Sequence, residues 1–148
     1  MEIATATADD IPELVELLCI LFAQEAEFTP DVEAHTRALS TIIANPDIGV
    51  ILVAKNQERV VGMVNLLFTV STALGERVGL VEDMVVLPTW RGTGVGSHLL
   101  SRAVDKAREC GCRRLTLLTD ADNHAAHKFY ERHGFVLSEM VPFRLAVA

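Results

Sequence analysis

Apolar and polar positions alternate along this chain with two different periods, and the changes of period mark its elements. Residues 3–7 (IATAT) read as a short strand, after which Asp9, Asp10 and Pro12 supply an N-cap and a first-turn proline for a helix reaching about Ala23. Within it Leu14, Leu17, Leu18 and Leu21 recur at helical spacing. A second helix is predicted from Pro30-Asp31 to Ala44, where Asn45-Pro46 stops it. The period then shortens. Residues 49–54 and 60–70, joined by the polar turn Asn56-Gln57-Glu58-Arg59, predict an antiparallel hairpin, and a third strand follows over 78–87 after a loop at 71–77. Helical spacing returns from Gly94 to Cys110, with Val95, Leu99, Leu100, Ala103, Val104 and Ala107 as the apolar stripe. A buried strand at 114–118, a helix over 123–133 closed by Gly134, and one or two further strands in 135–147 complete the prediction.

This order of elements predicts a mixed α/β, α+β-like architecture with helices on the faces of a sheet. With 148 residues and neither repeat nor linker, one domain spanning 1–148 is expected. A composition that is 50 % hydrophobic and 22 % charged excludes a disordered chain. No apolar run reaches the roughly 18 residues that a membrane span needs, so no membrane partner is expected. The start of the chain carries no basic segment followed by an apolar one, and the expected location is cytoplasmic. Cys19, Cys110 and Cys112 are an odd set, expected as reduced thiols, and Cys110-Gly111-Cys112 reads as a helix end turning into a strand. None of the five histidines stands at a zinc-ligand spacing from that pair, so no metal is expected. The net charge of −7 offers no basic stripe for a phosphate backbone, which argues against nucleic acid and mildly favours a cationic partner.

The chemistry concentrates at residues 85–100, VVLPTWRGTGVGSHLL. Glycines at 92, 94 and 96 remove the Cβ atoms from a turn that feeds a helix N-terminus, where successive backbone N–H groups and the helix dipole favour an anion such as a diphosphate. The bland alternative is a tight turn, although three alternating glycines exceed what a turn requires. A Walker loop is excluded because Gly96 is followed by Ser97-His98 rather than Lys-Ser/Thr. The dinucleotide fingerprint is disfavoured because the spacing is G-x-G-x-G, in mid-chain after a meander.

Val86-Leu87-Pro88 followed by Arg91-Gly92-Thr93-Gly94-Val95-Gly96 resembles the acetyl-CoA loop, Arg/Gln-x-x-Gly-x-Gly/Ala, of the GCN5-related N-acetyltransferase (GNAT) superfamily. The block from Asn123 to Phe135, with Ala126, Phe129, Tyr130, Glu131 and Gly134, is similar to that family's later signature. The resemblance implies a central mixed, mostly antiparallel sheet of six to seven strands flanked by about four helices. It implies acetyl-CoA as acyl donor, held by Arg91, Gly92, Thr93, Gly94, Val95, Gly96 and Ser97 at the pyrophosphate. Met84, Val85 and Val86 would bind the pantetheine arm through their backbone, with an N–H near Val86 facing the thioester oxygen, and Asn123 and Ala126 would complete the cofactor set. Asn123 can equally be only an N-cap. Tyr130 matches the family's tyrosine near the sulfur, a candidate general acid for the thiolate, the alternative being a core tyrosine.

Acetyl transfer also requires an amine that has lost its proton. Glu82 and Asp83 lie inside an apolar strand, and simple alternation puts Glu82 on the face of Met84 and Val86, as candidate base through a water or as anchor for a cationic amine. Glu82 can alternatively pair with a nearby cation, and Asp83 would face the other way, toward a helix or a partner such as Arg91. Acceptor specificity is expected from residues 22–36 and 71–77, the first of which is acidic through Glu25, Glu27, Asp31 and Glu33. The expected activity is transfer of acetyl from acetyl-CoA to a primary amine of a small molecule, such as a polyamine, amino acid, amino sugar or aminophosphonate, by direct attack on the thioester. The alternatives are a protein lysine or N-terminal acetyltransferase and a non-catalytic acyl-CoA-sensing module. A homodimer is expected by resemblance, with residues 140–147 joining its interface.

Overall fold

The structure, a computed structural model, describes residues 1–148 other than Ala26, which falls in the expected acceptor-facing segment 22–36 and lies outside the described residues. Five strands form one sheet in the order β1-β2-β3-β4-β5: β1 (Glu2–Thr5), β2 (Gly49–Asn56), β3 (Arg59–Ser71), β4 (Glu76–Val86) and β5 (Leu115–Leu117). The first four pair antiparallel, and β5 pairs parallel to β4. The helices are α1 (Ile11–Gln24), α2 (Val32–Ala44), α3 (Val95–Glu109) and α4 (His124–Arg132). Two compact units result, Met1–Leu118 with the sheet and α1 to α3, and Thr119–Ala148 with α4 and the residues that follow it.

In the first unit the central strand β3 is buried over 60–66 on both faces, which is why it reads as a continuous apolar run. On one face Ile51, Val53, Met63 and Val85 pack with Leu14, Val15, Leu17 and Leu18 of α1 and Leu39 of α2. On the other, β3 comes close to α3: a Cβ added to Gly62 would stand 2.9 Å from Leu99 Cδ1 and 3.2 Å from Val95 Cγ1. That approach seats the first turns of α3 against the sheet, and with them the loop that precedes the helix. Asp10, only 5 % exposed, joins the start of α1 to β2 of the sheet. Its carboxylate accepts the Thr7 N–H at 2.9 Å and pairs with Lys55 of β2 at 2.9 Å, so both oxygens of a buried charge are satisfied. The Asp10 contact also raises the Lys55 pKa above its ordinary value, against a smaller opposing effect of burial.

The fold class is the expected mixed α/β one, with a mostly antiparallel sheet and four α-helices among the described residues. The strand count differs: among the described residues five strands are formed rather than six to seven, and residues 135–148 contain no strand. Their apolar alternation has the strand period, but a strand also needs a neighbouring edge for its backbone groups. The Cys110-Gly111-Cys112 step does end a helix, with Gly111 at φ +85° and the Cys112 N–H returning to Ala107 O.

Candidate active site

The loop between β4 and α3 begins with a single 3-10 turn, Pro88–Trp90, in which the Trp90 N–H bonds Leu87 O at 2.8 Å. Trp90 is half-buried beside the loop, and Thr93 Oγ1 bonds back to Trp90 O, which tightens the turn. Gly92 lies at φ +75° and Gly94 at φ +92°, the second serving as N-cap of α3. Both conformations suit glycine and strain an L residue. A Cβ at either position would meet no atom within 4 Å, so each glycine borders open space into which a side chain would project.

The start of α3 is prepared for an external anion by what it lacks. The first N–H groups of a helix have no intrahelical acceptor, yet no side chain caps this one and no acidic residue occupies its first turn. α2, by contrast, is capped by Asp31, which accepts the Ala34 N–H at 3.1 Å, and has Glu33 in its first turn. Gly92, Thr93 and Gly94 are exposed and Val95 is buried, so the loop turns its backbone outward while its first helical residue anchors it. Arg91 is also exposed and its Nε donates to Val86 O at 3.3 Å, tying the loop to the last residue of β4.

β4 supplies the second element. Its pairing with β5 ends at Val81 opposite Leu117, so residues 82–86 have β3 on one side and, among the described residues, no strand on the other. The backbone of Met84, Val85 and Val86 therefore borders an open edge that an extended arm could join as a further strand. Val85 turns its side chain into the core with α1.

The same stretch corrects the expected positions of the two carboxylates. The register pairs Asn65 with Glu82 but Met63 with Val85, so Asp83 and Met84 together oppose one residue, Val64. This is a β-bulge, and one extra residue reverses which face everything beyond it uses. Directly opposed residues share a face, so Glu82 lies with Asn65, Met63 and Val85 on the α1–α2 side, not with Val86, which opposes Gly62. Asp83 carries the bulge at φ +53°, a conformation that Asp tolerates better than most residues. Its partner is Asn65 rather than Arg91: Asn65 Nδ2 donates to Asp83 Oδ2 at 3.0 Å. The two carboxylates thus gather on one face, Glu82 exposed and Asp83 mostly buried.

Burial pushes the Asp83 carboxyl above its ordinary 3.8, and the Asn65 hydrogen bond and the more distant His35 of α2 oppose the rise. Asn65 is 3 % exposed and its Oδ1 has no hydrogen-bond partner among the described residues. A lone polar side chain inside the apolar run 60–68 is the signal by which the sequence could have drawn attention to Asn65. Phe22 of α1 stacks with His35 at 4.9 Å and with Phe28 at 5.5 Å between ring centroids, within the segment expected to face the acceptor.

In the second unit, Asn123 caps α4, its Oδ1 accepting the Ala126 N–H at 3.1 Å. The N-cap role is therefore filled, and the side-chain amide remains as the group with which Asn123 could meet a ligand. Tyr130 is half-buried, packed edge-on to Phe129 at 5.2 Å and to Phe135 at 5.8 Å.

An uncapped, glycine-bordered start of α3, the open end of β4 and an acidic pair on the same strand are thus the features of the first unit that a ligand could use. The acetyltransferase (GNAT) family model matches residues 12–135, and the chain belongs to that family. It is 31 % identical over 134 residues to the aminoalkylphosphonate N-acetyltransferase of Salmonella typhimurium, covering 90 % of this chain and 84 % of that one. It is 27 % identical to an aminoglycoside N(6')-acetyltransferase type 1 of Stenotrophomonas maltophilia, covering 77 % and 76 %. Among solved structures, an integron cassette protein from the mobile metagenome of Cole Harbour Salt Marsh superposes with a TM-score of 0.86 at 30 % identity, over 99 % of this chain and 90 % of that one.

Proposed function

We propose that this N-acetyltransferase takes acetyl-CoA as donor and a primary amine of a small molecule as acceptor, with residues 1–148 forming one acetyltransferase domain. The family match runs through both compact units, which supports the single domain. We further infer that it acts in the cytoplasm as a homodimer, without nucleic acid or membrane.

The observation that carries the donor assignment is the cradle at Gly92 and Gly94, where a Cβ would fill open space beside an uncapped helix start. Backbone N–H groups of Gly92 through Ser97 would hold the pyrophosphate, with Arg91 adding charge at the rim. The open edge of Met84, Val85 and Val86 would bond the pantetheine arm. When bound, acetyl-CoA supplies an activated thioester carbonyl. An N–H near Val86 would donate to the oxygen as charge builds on it. Tyr130 is the residue of this chain that would give a proton to the departing sulfur, and Asn123 and Ala126 complete the set by resemblance.

The acceptor side is read from Glu82, Asp83 and Asn65. Asn65 commits its Nδ2 to Asp83, so what this face offers a ligand is two carboxylates, the exposed Glu82 and the mostly buried Asp83, both acceptors. Such a set complements an ammonium group. Asp83 would draw the cation in, and the exposed Glu82 would take its proton directly or through a water, leaving the lone pair that attack requires. The two amine-acetylating relatives support a small-molecule acceptor, with aminoalkylphosphonates and amino sugars first on the panel to screen.

Calorimetric titration with acetyl-CoA and with S-acetylpantetheine, which lacks the pyrophosphate, tests the cradle. Each charge-assisted hydrogen bond contributes about 1.5–3 kcal/mol, so acetyl-CoA is expected to bind at least ~100-fold more tightly. Equal affinities would remove the loop from the donor site.

A further inference from the structure

Several features of the first unit that cost stability meet at one carboxyl. β4 takes an extra residue opposite β3, and Asp83 absorbs it at φ +53°, where most L residues are strained. Asn65 places an amide inside the buried stretch 60–66 of β3, between Ile51 on β2 and Glu82 on β4. That amide is only half satisfied: Nδ2 donates to Asp83 Oδ2 at 3.0 Å, while Oδ1 is buried with no hydrogen-bond partner among the described residues. An apolar side chain at this position would leave no such acceptor unmet.

The way these costs converge indicates what they serve. Without the extra residue, simple alternation would send Asp83 to the face opposite Glu82 and Asn65; the bulge returns it to theirs. The amide then presents its nitrogen to the carboxylate and leaves its oxygen bare. Turned over, it would set oxygen against oxygen, two acceptors with no proton between them. Strand geometry and amide orientation thus both favour one contact, the donation to Asp83.

The effect of that contact follows from the electrostatics at Asp83. Burial raises its pKa above the ordinary 3.8 by disfavouring the charged form, and the Asn65 N–H opposes the rise, with a smaller effect of the same sign from His35 of α2. Glu82 is the neighbouring acid on β4. α1 carries the Cys19 thiol, the exposed Glu16, and Glu13, which is committed to the Val60 N–H at 3.0 Å near the start of β3. Asn65, at 3 % exposure, is itself out of reach of an acceptor.

We propose that Asn65 is a positioning residue for acceptor binding: its amide N–H keeps the buried Asp83 carboxylate charged and fixed beside Glu82, so that recognition of the ammonium group depends on a side chain that does not touch it. This rests on the reading of the protein as an amine acetyltransferase and names the group that sustains its cation site.

Asn65→Val and Asn65→Thr test the proposal, because the two have nearly the same shape and differ by a hydroxyl able to donate to the carboxylate directly or through a water in the space the amide leaves. Carboxyl-carbon NMR of ligand-free protein follows the titration of Asp83 without any acceptor. Its midpoint is expected to rise in Asn65→Val and to return toward the wild-type position in Asn65→Thr. Steady-state kinetics with an acetylated amine, from about pH 6 to pH 9, should show the KM for the amine in Asn65→Val raised roughly 10- to 100-fold at the acid end and approaching wild type at the alkaline end, with kcat little changed. His35 is present in all three proteins, so the differences isolate Asn65. An unmoved midpoint, or a loss of activity that is independent of pH and shared in full by Asn65→Thr, overturns the positioning role and leaves amine acetylation in place. A wild-type protein that acetylates no amine overturns the acetyltransferase reading, and the acceptor role of Asp83 and Asn65 with it, even if the midpoint moves.

Discussion

Gly94→Ala separates the conformational role of the loop from its binding role when compared with Gly111→Ala at the far end of the same helix. Gly94 and Gly111 lie at φ +92° and +85°, and an added Cβ meets nothing within 4 Å at either. The perturbation is therefore the same in kind: positive φ costs an L residue about 1–2 kcal/mol, and the smaller entropy of the unfolded alanine chain adds a further 0.4–1 kcal/mol, roughly, on the other side of the balance. Steric clash adds nothing, since there is no neighbour to clash with. The net expected loss is about 1 kcal/mol for each variant, a fall in Tm of roughly 2–4 °C for a chain of this size. Their effects on ligand differ. α3 has 15 residues and so spans about 22 Å at 1.5 Å per residue, which puts Gly111 out of reach of a ligand at the other end. Gly94→Ala places a methyl group in the open space of the cradle and displaces at least one charge-assisted hydrogen bond. A loss of about 10- to 100-fold in acetyl-CoA affinity is expected for it alone. Differential scanning calorimetry of the ligand-free variants, followed by isothermal titration with acetyl-CoA, measures both quantities. Equal affinity in the two variants would refute the reasoning, because it would reduce Gly94 to a turn residue.

Four other variants probe the site and its support. Asp83→Asn keeps the Asn65 contact and a residue that tolerates positive φ, while removing the charge. Because the native carboxyl titrates above its ordinary 3.8, the folded state holds a proton that the unfolded state has lost, and wild-type stability falls as pH rises through that interval. Urea unfolding from pH 4 upward should show the variant gaining on wild type with rising pH while its activity on cationic amines drops; a constant difference contradicts the assignment. Tyr130→Phe and Glu82→Gln should each lower kcat by roughly 10- to 1,000-fold with acetyl-CoA affinity unchanged, and unaltered steady-state kinetics would end their catalytic assignment. Asp10→Ala removes the acceptor of the Thr7 N–H and the partner of Lys55, and should cost about 1–3 kcal/mol by denaturant titration without touching acetyl-CoA affinity.

The helices were legible because their signals are local. Predicted boundaries for α3 and α4 lie within one residue of those observed, since glycine, Asn123 and Gly134 mark the ends by their own chemistry. The hairpin of β2 and β3 was legible for the same reason. The bulge was not: strict alternation assumes no extra residue, and an acidic pair in an apolar strand shows that something is unusual without showing how the strand accommodates it. Glu82 was accordingly assigned to the wrong face, and Asn65 was passed over. In the tail the period was read correctly and the strand was not formed, because periodicity describes a side chain's neighbours and says nothing about which edge the backbone will find. The loop stood out most clearly in the sequence, since three glycines in five residues serve backbone exposure directly.

Release of free CoA from acetyl-CoA, followed across a panel of aminoalkylphosphonates, amino sugars, polyamines, amino acids and lysine peptides, tests the central claim most directly. The account predicts amine-dependent release with one class of small amine, abolished or strongly reduced in Glu82→Gln. Binding of acetyl-CoA with no release for any amine on the panel would contradict it and point instead to a chain that binds the thioester without transferring it.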